Sequence, residues 1–267
     1  MRSSLDTDFF SSPLPRVFGH RGTAGTHPEN TMVSFQAAVD LGVLYLETDI
    51  HMTRDGEIVT SHEPDLELVS GQPGVIKDLD YADIAKYDAG YTFSPNGKDF
   101  PFRGKGIRVP RLAEVLTAFP KAIFNIDFKP EDVSLTERAI KVIDGAKMRR
   151  RVMLASEFQN RLDEIRALAP EAPTVLGLQE GAAFLQAMAA NDASYQPPGE
   201  ALQIPTEYYS FKLATPEFLA FAHRHGLEVH YWTINEEAEM RSLLDLGADG
   251  IIGDFPELAF KVVASRR

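Results

Sequence analysis

The strongest constraint in this chain is a rhythm. From residue 109 to the end, short runs that are apolar almost throughout alternate with longer stretches whose apolar residues recur at helical spacing. The pattern predicts helices over 111–119, 133–147, 159–168, 182–190, 216–225, 236–246 and 256–264. It predicts strands over 122–128, 151–155, 174–178, 201–204, 228–233 and 250–253. Strands apolar on both faces need cover on both faces, which a parallel sheet wrapped in helices supplies. Three earlier strand candidates, at 17–18, 44–50 and 58–62, bring the number to nine. A closed eight-stranded β/α (TIM-type) barrel fits if one member of the early hairpin stands outside the ring. An open doubly wound sheet competes, but no Gly-x-Gly-x-x-Gly follows the first strand.

Most of the polar residues with chemical potential fall between Phe18 and His62. His20-Arg21-Gly22 closes the first apolar run. A hairpin follows, with Asp55-Gly56 turning the chain between two apolar, β-branched runs. Alternation along the outgoing strand puts Glu47 and Asp49 on one face. A two-residue Asp55-Gly56 loop would place His62 directly opposite Asp49, and Glu63 would then point away from His62. Between them, Pro28-Glu29-Asn30-Thr31 starts a helix, with Asn30 or Thr31 as its cap. Taken singly, an acidic pair on a strand is a solvated face and a His-Arg pair is surface charge. Two carboxylates, two histidines and an arginine at these spacings outline a site for metal and acid/base chemistry.

Further polar residues stand at predicted strand ends, where a barrel keeps its site. Asp127 and Lys129 share a face of the 122–128 strand and read alone as an ion pair. Trp232, the sole tryptophan, reads alone as core packing at the end of its strand. Asp254 follows the last strand. Residues 63–108 break the rhythm with Gly/Pro-rich segments and helical character only at 81–87. They read as an insertion, a lid or binding loop, whose aromatics argue against disorder. The length, 267 residues, suits a single domain over 1–267. A net charge of −12 argues against nucleic acid or an anionic membrane as the main partner. Cysteine is absent, so no disulfide framework exists. Residues 1–15 hold no long apolar core, and no membrane span is evident, so a cytoplasmic protein is the default expectation, with a trimmed secreted form left open.

His20-Arg21-Gly22, Pro28-Glu29-Asn30-Thr31, Phe35 with Ala38 and Gly42, Glu47-x-Asp49, Thr53-x-Asp55-Gly56 and Val59-x-x-His62 together resemble the glycerophosphodiester phosphodiesterases. The likeness is dense over this stretch and thin between 130 and 225. Three positions depart from the family pattern. Asp127 stands in place of the glutamate of Glu-x-Lys, Glu63 in place of aspartate after His62, and Gly253 in place of the threonine of Thr-Asp-x-Pro.

The resemblance implies a metal-dependent phosphoric diester hydrolase that releases an alcohol and glycerol 3-phosphate. Glu47, Asp49 and Asp127 are hard oxygen donors suited to one divalent cation, Mg²⁺ or Ca²⁺. Arg21 and Lys129 would hold the phosphate, and the resemblance places Trp232 at the barrel mouth on the substrate side. It assigns His20 and His62 as the acid/base pair, leaving open which is which. The substrate's own glycerol 2-hydroxyl is one candidate attacker. The expected partner is a small glycerophosphodiester or a lysophospholipid, the latter for a lysophospholipase D. A groove lined by Tyr91, Phe93, Phe100 and Phe102 would bury the acyl chain. An inactive glycerophosphodiester-binding protein and a barrel isomerase or aldolase are the competing classes; the intact histidines and carboxylates argue against the first.

Overall fold

The structure, a computed structural model, describes residues 7–129 and 133–266. The reading of residues 1–15 therefore falls partly on residues outside the described ones. The chain opens with β1 (Arg16–Gly19), α1 (Met32–Asp40), β2 (Tyr45–Met52) and β3 (Ile58–Thr60). The insertion carries α2 (Glu67–Ser70) and α3 (Tyr81–Ile84). Then come α4 (Leu112–Ala118), β4 (Ile123–Phe128), α5 (Val133–Gly145), β5 (Val152–Ala155), α6 (Gln159–Leu168) and α7 (Leu178–Ala189). The last third holds β6 (Ala201–Ile204), a small hairpin of β7 (Glu207–Tyr208) and β8 (Phe211–Lys212), α8 (Pro216–Arg224), β9 (Glu228–Tyr231), α9 (Glu237–Leu246), β10 (Gly250–Gly253) and α10 (Pro256–Ala264).

The strands run β5-β4-β2-β1-β10-β9-β6 around a curled sheet, every pair parallel. Two parallel bridges, Leu154 to Thr174 and Val175 to Ala201, close the ring between β5 and β6. The chain is thus a β/α barrel, as the rhythm predicts. The hairpin member left outside the ring is β3, which pairs antiparallel with β2.

Two local readings need correction. The stave expected over 174–178 is only a bridge, because Gly177 already caps α7, its N–H bonded to the Glu180 carboxylate at 3.2 Å. The early hairpin turns over three residues, not two: Thr53 N donates to Glu57 O at 2.9 Å, and Gly56 takes the left-handed conformation at φ +84°. The register therefore slips by one. Ser61, not His62, lies opposite Asp49, its N–H bonded to the Asp49 carbonyl at 3.1 Å, and His62 lies beyond the end of β3.

Alternation along each strand sorts side chains between two cores. Leu46, Ile50, Phe124, Ile126, Phe128 and Leu154 face the helices, packing with Phe35, Leu116, Ile143 and Ile165. Phe18, Tyr45, Ile123, Met153, Val175, Ala201 and Ile252 fill the barrel interior with Phe9. Phe9 closes the base: it is fully buried, and its carbonyl accepts from the Tyr45 hydroxyl at 2.7 Å. Beside it, Arg16 meets both oxygens of Glu228 at 2.8 and 2.9 Å, and His230 joins Glu228 at 3.1 Å. His230 leads through Gln203 to Asn125, whose amides exchange two hydrogen bonds at 3.0 Å.

The insertion makes its own core, Leu66, Ile76, Tyr81, Ile84, Ala89 and Ile107, against Val59 and Val109. Its helical content is three short turns, α2, a 3-10 turn at Ile76–Asp78 and α3, rather than the single stretch read at 81–87. Phe93 packs edge-on against Phe102 at 5.5 Å, and Arg103 lies 4.4 Å from Tyr91 and 3.7 Å from Phe100. These aromatics pack one another and Arg103. Phe102 also meets His27 in the loop after β1, at 5.3 Å between rings.

Candidate active site

Polar groups gather at the C-terminal ends of β1, β2, β4, β9 and β10, the end at which barrels carry their sites. The loop after β1 is shaped by two non-glycine residues in the left-handed region, Arg21 at φ +50° and Asn30 at φ +54°. Gly22, at φ +91°, leaves room for α1, since a Cβ there would stand 2.4 Å from Ser34 Oγ. Ser34 ties the turn down, donating from Oγ to the Arg21 carbonyl at 2.9 Å and accepting from Thr23 N at 2.8 Å.

Within this frame Glu47 Oε2 accepts the Arg21 backbone N–H at 3.0 Å and faces His20 Nε2 at 3.9 Å. The other ring nitrogen of His20, Nδ1, lies 2.6 Å from Asp254 Oδ1. Asn235 grips Asp254 in turn, donating from Nδ2 to Oδ2 at 2.6 Å and accepting the Asp254 backbone N–H at 2.8 Å. His62 Nδ1 meets Glu63 Oε1 at 2.8 Å, so Glu63 touches His62 instead of facing away from it. The extended strand assumed there has already ended. His51 donates from Nε2 to the His62 carbonyl at 3.1 Å and holds that backbone.

Asp49 and Asp127 are register partners on β2 and β4. Lys129 Nζ stands between them, 2.9 Å from Asp49 Oδ1 and 2.7 Å from Asp127 Oδ2. Asn30 donates to Asp49 Oδ2 at 3.0 Å, and Arg21 Nε lies 3.5 Å from the same oxygen. The Arg21 guanidinium also meets both oxygens of Glu29 at 3.0 Å. Trp232 follows β9 and is 44% exposed, which places it at the rim and not in the core.

The electrostatics follow from burial against pairing. Burial, and then the charge of Asp49, push the Glu47 carboxyl up to about 7 despite His20 and Arg21. Burial also acts on Asp49, but Lys129, Arg21 and His62 outweigh it and hold its carboxyl below the ordinary range. Asp127 stays raised, because burial there outweighs the one ammonium beside it. Burial opposes the charge of His20, yet the hydrogen bond to Asp254 and the charge of Glu47 raise its pKa.

No group of three or more His, Asp or Glu side chains among the described residues is arranged to hold a metal ion. The donor chemistry nevertheless fits one. Asp49 and Asp127 already converge on a positive charge, the Lys129 ammonium, which acts as a stand-in for a cation. Glu47 is a buried carboxyl left under-neutralised.

The structure brings His20, Arg21, Glu47, Asp49, Asp127 and Lys129 into one linked cluster, with His62 near enough to act on Asp49. Sequence reasoning missed roles for Glu29, Asn30, Glu63 and Asn235. Of the two cap candidates it is Thr31 that serves, accepting from Ser34 N at 3.4 Å, which leaves the Asn30 amide for Asp49. The available signal was the placement of Glu29 and Asn30 inside the Pro28-Glu29-Asn30-Thr31 motif.

No helix among the described residues is long and apolar enough to cross a membrane. Comparison with known proteins agrees with the geometry. Residues 20–258 match the family model of the glycerophosphoryl diester phosphodiesterase family. A glycerophosphodiester phosphodiesterase of Bacillus subtilis is 31% identical over 91% of this chain and 84% of its own. A lysophospholipase D of Mus musculus is 28% identical over the same shares of the two chains. A solved structure from Silicibacter pomeroyi, named provisionally as a glycerophosphoryl diester phosphodiesterase, aligns with a TM-score of 0.80 at 28% identity. It covers 95% of this chain and 94% of that one. An Oleispira antarctica phosphodiesterase, solved with its product sn-glycerol-3-phosphate, shares the fold at a TM-score of 0.74, with 23% identity and coverage of 94% and 97%. With the family matched across nearly the whole barrel and the polar cluster standing where that barrel carries chemistry, the chain belongs to the glycerophosphoryl diester phosphodiesterase family and is a phosphoric diester hydrolase.

Proposed function

We propose that the chain hydrolyses small glycerophosphodiesters to an alcohol and glycerol 3-phosphate, with His20 and His62 moving the protons and one divalent cation held by Glu47, Asp49 and Asp127. One observation carries the reading. Two imidazoles, each with Nδ1 on a carboxylate, stand at the same end of the barrel as Arg21 and Lys129. With Nδ1 so engaged, each histidine has Nε2 left for a substrate oxygen. One removes the proton of the attacking oxygen, while the other protonates the departing alcohol; where the attacker is the glycerol 2-hydroxyl, a water then opens the cyclic phosphate to glycerol 3-phosphate. Arg21, steadied by Glu29, and Lys129 place positive charge where the equatorial phosphate oxygens gain negative charge. The carboxylate set suits Mg²⁺ or Ca²⁺, which when bound would neutralise phosphate charge and acidify a coordinated oxygen.

A second reading, a lysophospholipase D, is favoured by one feature of the barrel rim. Trp232 and, on the hairpin that follows β6, Tyr208, Tyr209 and Phe211 are all exposed. An acyl chain lying on this lip would bury apolar surface, at about 0.8 kcal/mol per methylene.

Turnover of glycerophosphocholine and lysophosphatidylcholine, each with Mg²⁺, Ca²⁺ or EDTA, separates the readings. His20→Ala and His62→Ala each lower turnover by at least ~10²-fold with the fold retained. Full activity after exhaustive chelation overturns the metal, and near wild-type turnover in either variant overturns its proton-transfer role.

A further inference from the structure

Asn235 spends both ends of its amide on one residue. Nδ2 donates to Asp254 Oδ2 at 2.6 Å, and Oδ1 accepts from Asp254 N at 2.8 Å. One bond fixes the Asp254 backbone and the other its carboxylate, which is thus held between Asn235 on Oδ2 and His20 Nδ1 at 2.6 Å on Oδ1.

The clasp is built into the barrel. Ile234 N donates to the Ile252 carbonyl at 3.0 Å, laying the 234–235 segment along β10. Gly253 permits that approach: a Cβ there would stand 2.4 Å from Ile234 O and 3.4 Å from Asn235 Oδ1. The same strand holds the backbone of the histidine, since His20 N donates to Gly253 O at 3.1 Å. His62 is held differently, its carbonyl accepting from His51 Nε2 at 3.1 Å. Its carboxylate comes from its own chain neighbour, Glu63, whose side chain is 45% exposed against 23% for Asp254.

We propose that Asn235 is a positioning residue: by locking the Asp254 carboxylate it holds His20 in the tautomer protonated at Nδ1 and presents Nε2 to the phosphodiester. An aspartate accepts but does not donate, so a fixed Oδ1 requires the imidazole proton at Nδ1 and keeps the ring from flipping. The inference rests on the reading of His20 as a proton-transfer group. It adds that the orientation of His20 is set by a residue whose amide is spent on Asp254 and not on His20 itself.

The test is a set of four variants assayed on glycerophosphocholine: Asn235→Ala, Asn235→Asp, His20→Ala and the His20→Ala/Asn235→Ala pair. Asn235→Asp keeps an acceptor for the Asp254 N–H but loses the donor to Oδ2, so it removes the lock where Asn235→Ala could also loosen the loop. Both single Asn235 variants should lose about 10- to 100-fold in kcat, the range for groups that orient a functional side chain, with KM nearly unchanged. The paired variant should be no slower than His20→Ala alone, because Asn235 acts through that ring. Nitrogen-resolved NMR of the neutral His20 imidazole should show Nδ1–H in the wild type and a mixture of tautomers in Asn235→Asp. Wild-type kcat in both Asn235 variants, with His20→Ala inactive, overturns the clasp alone. Losses that multiply in the paired variant do the same. Full turnover in His20→Ala overturns the proton-transfer reading and the clasp with it.

Discussion

The Lys129 ammonium stands 2.9 Å from Asp49 Oδ1, and its other contact, at 2.7 Å, is Asp127. The lysine thus balances the two carboxylates proposed to bind a cation. Phosphate and cation therefore make opposite demands on it: the first needs its charge, the second needs its place. Lys129→Gln should bind Mn²⁺ or Mg²⁺ more tightly by about tenfold or more, since a unit charge a few ångströms away is worth kilocalories even when partly screened. Turnover should fall in the same variant. Calorimetric titration of the metal, without substrate, checks the first effect, and an unchanged affinity would put the cation elsewhere.

Arg16 and Glu228 form a buried pair at the barrel base, remote in the fold from the catalytic end. Burial pushes the Glu228 carboxyl up, but hydrogen bonds from His230 and Arg16 prevail and take it down from 4.5 to about 2. Because the folded pKa lies below the unfolded one, this carboxylate stabilises the protein above pH 4.5, and its contribution is lost as pH falls toward 2. Glu228→Gln should flatten that part of the stability profile. It should also cost about 3–5 kcal/mol at neutral pH, the usual result of leaving one buried charge alone. Denaturant titrations at stepped pH decide both points.

Phe93 and Phe102 face each other edge-on inside the insertion, as partners in packing. Replacing each by serine should lower stability by about 1 kcal/mol, the scale of a packed aromatic pair. Activity on glycerophosphocholine and on lysophosphatidylcholine should fall in parallel. A loss confined to lysophosphatidylcholine would return the acyl chain to this segment.

Gly22→Ala should be severe for its size. The backbone sits at φ +91°, and the added methyl would meet Ser34 Oγ at 2.4 Å and Ser34 C at 2.6 Å. A cost of about 2 kcal/mol or more is expected from strain alone. Turnover should drop further than stability, because the Arg21 backbone donates to Glu47 from the same turn. A variant with wild-type melting temperature and turnover would show the turn to be more pliant than its contacts imply.

The barrel was legible because its strands are apolar on two faces. The 201–204 and 250–253 strands were read to the residue, and 122–128 to within one. The stave at Thr174–Val175 was overread, since apolar residues there continue into the first turn of α7. The hairpin register failed for a subtler reason. Two- and three-residue turns through Asp55-Gly56 look alike in sequence and differ in whether Thr53 pairs with Glu57. The charged site residues were recognisable by type and spacing. Asn30 and Asn235 were not, because an amide that orients a carboxylate carries no mark distinguishing it from a cap or a loop residue. The pairing of Glu63 with His62 was hidden by the end of β3, which frees the two side chains from strand alternation.

Phe9 is wholly buried against Phe18, Tyr45 and His230, with Arg16 and Glu228 beside it. A barrel filled in this way is a post and not a pipe. Nothing passes along its axis, so a diester that reaches the strand ends must arrive and leave on that same face.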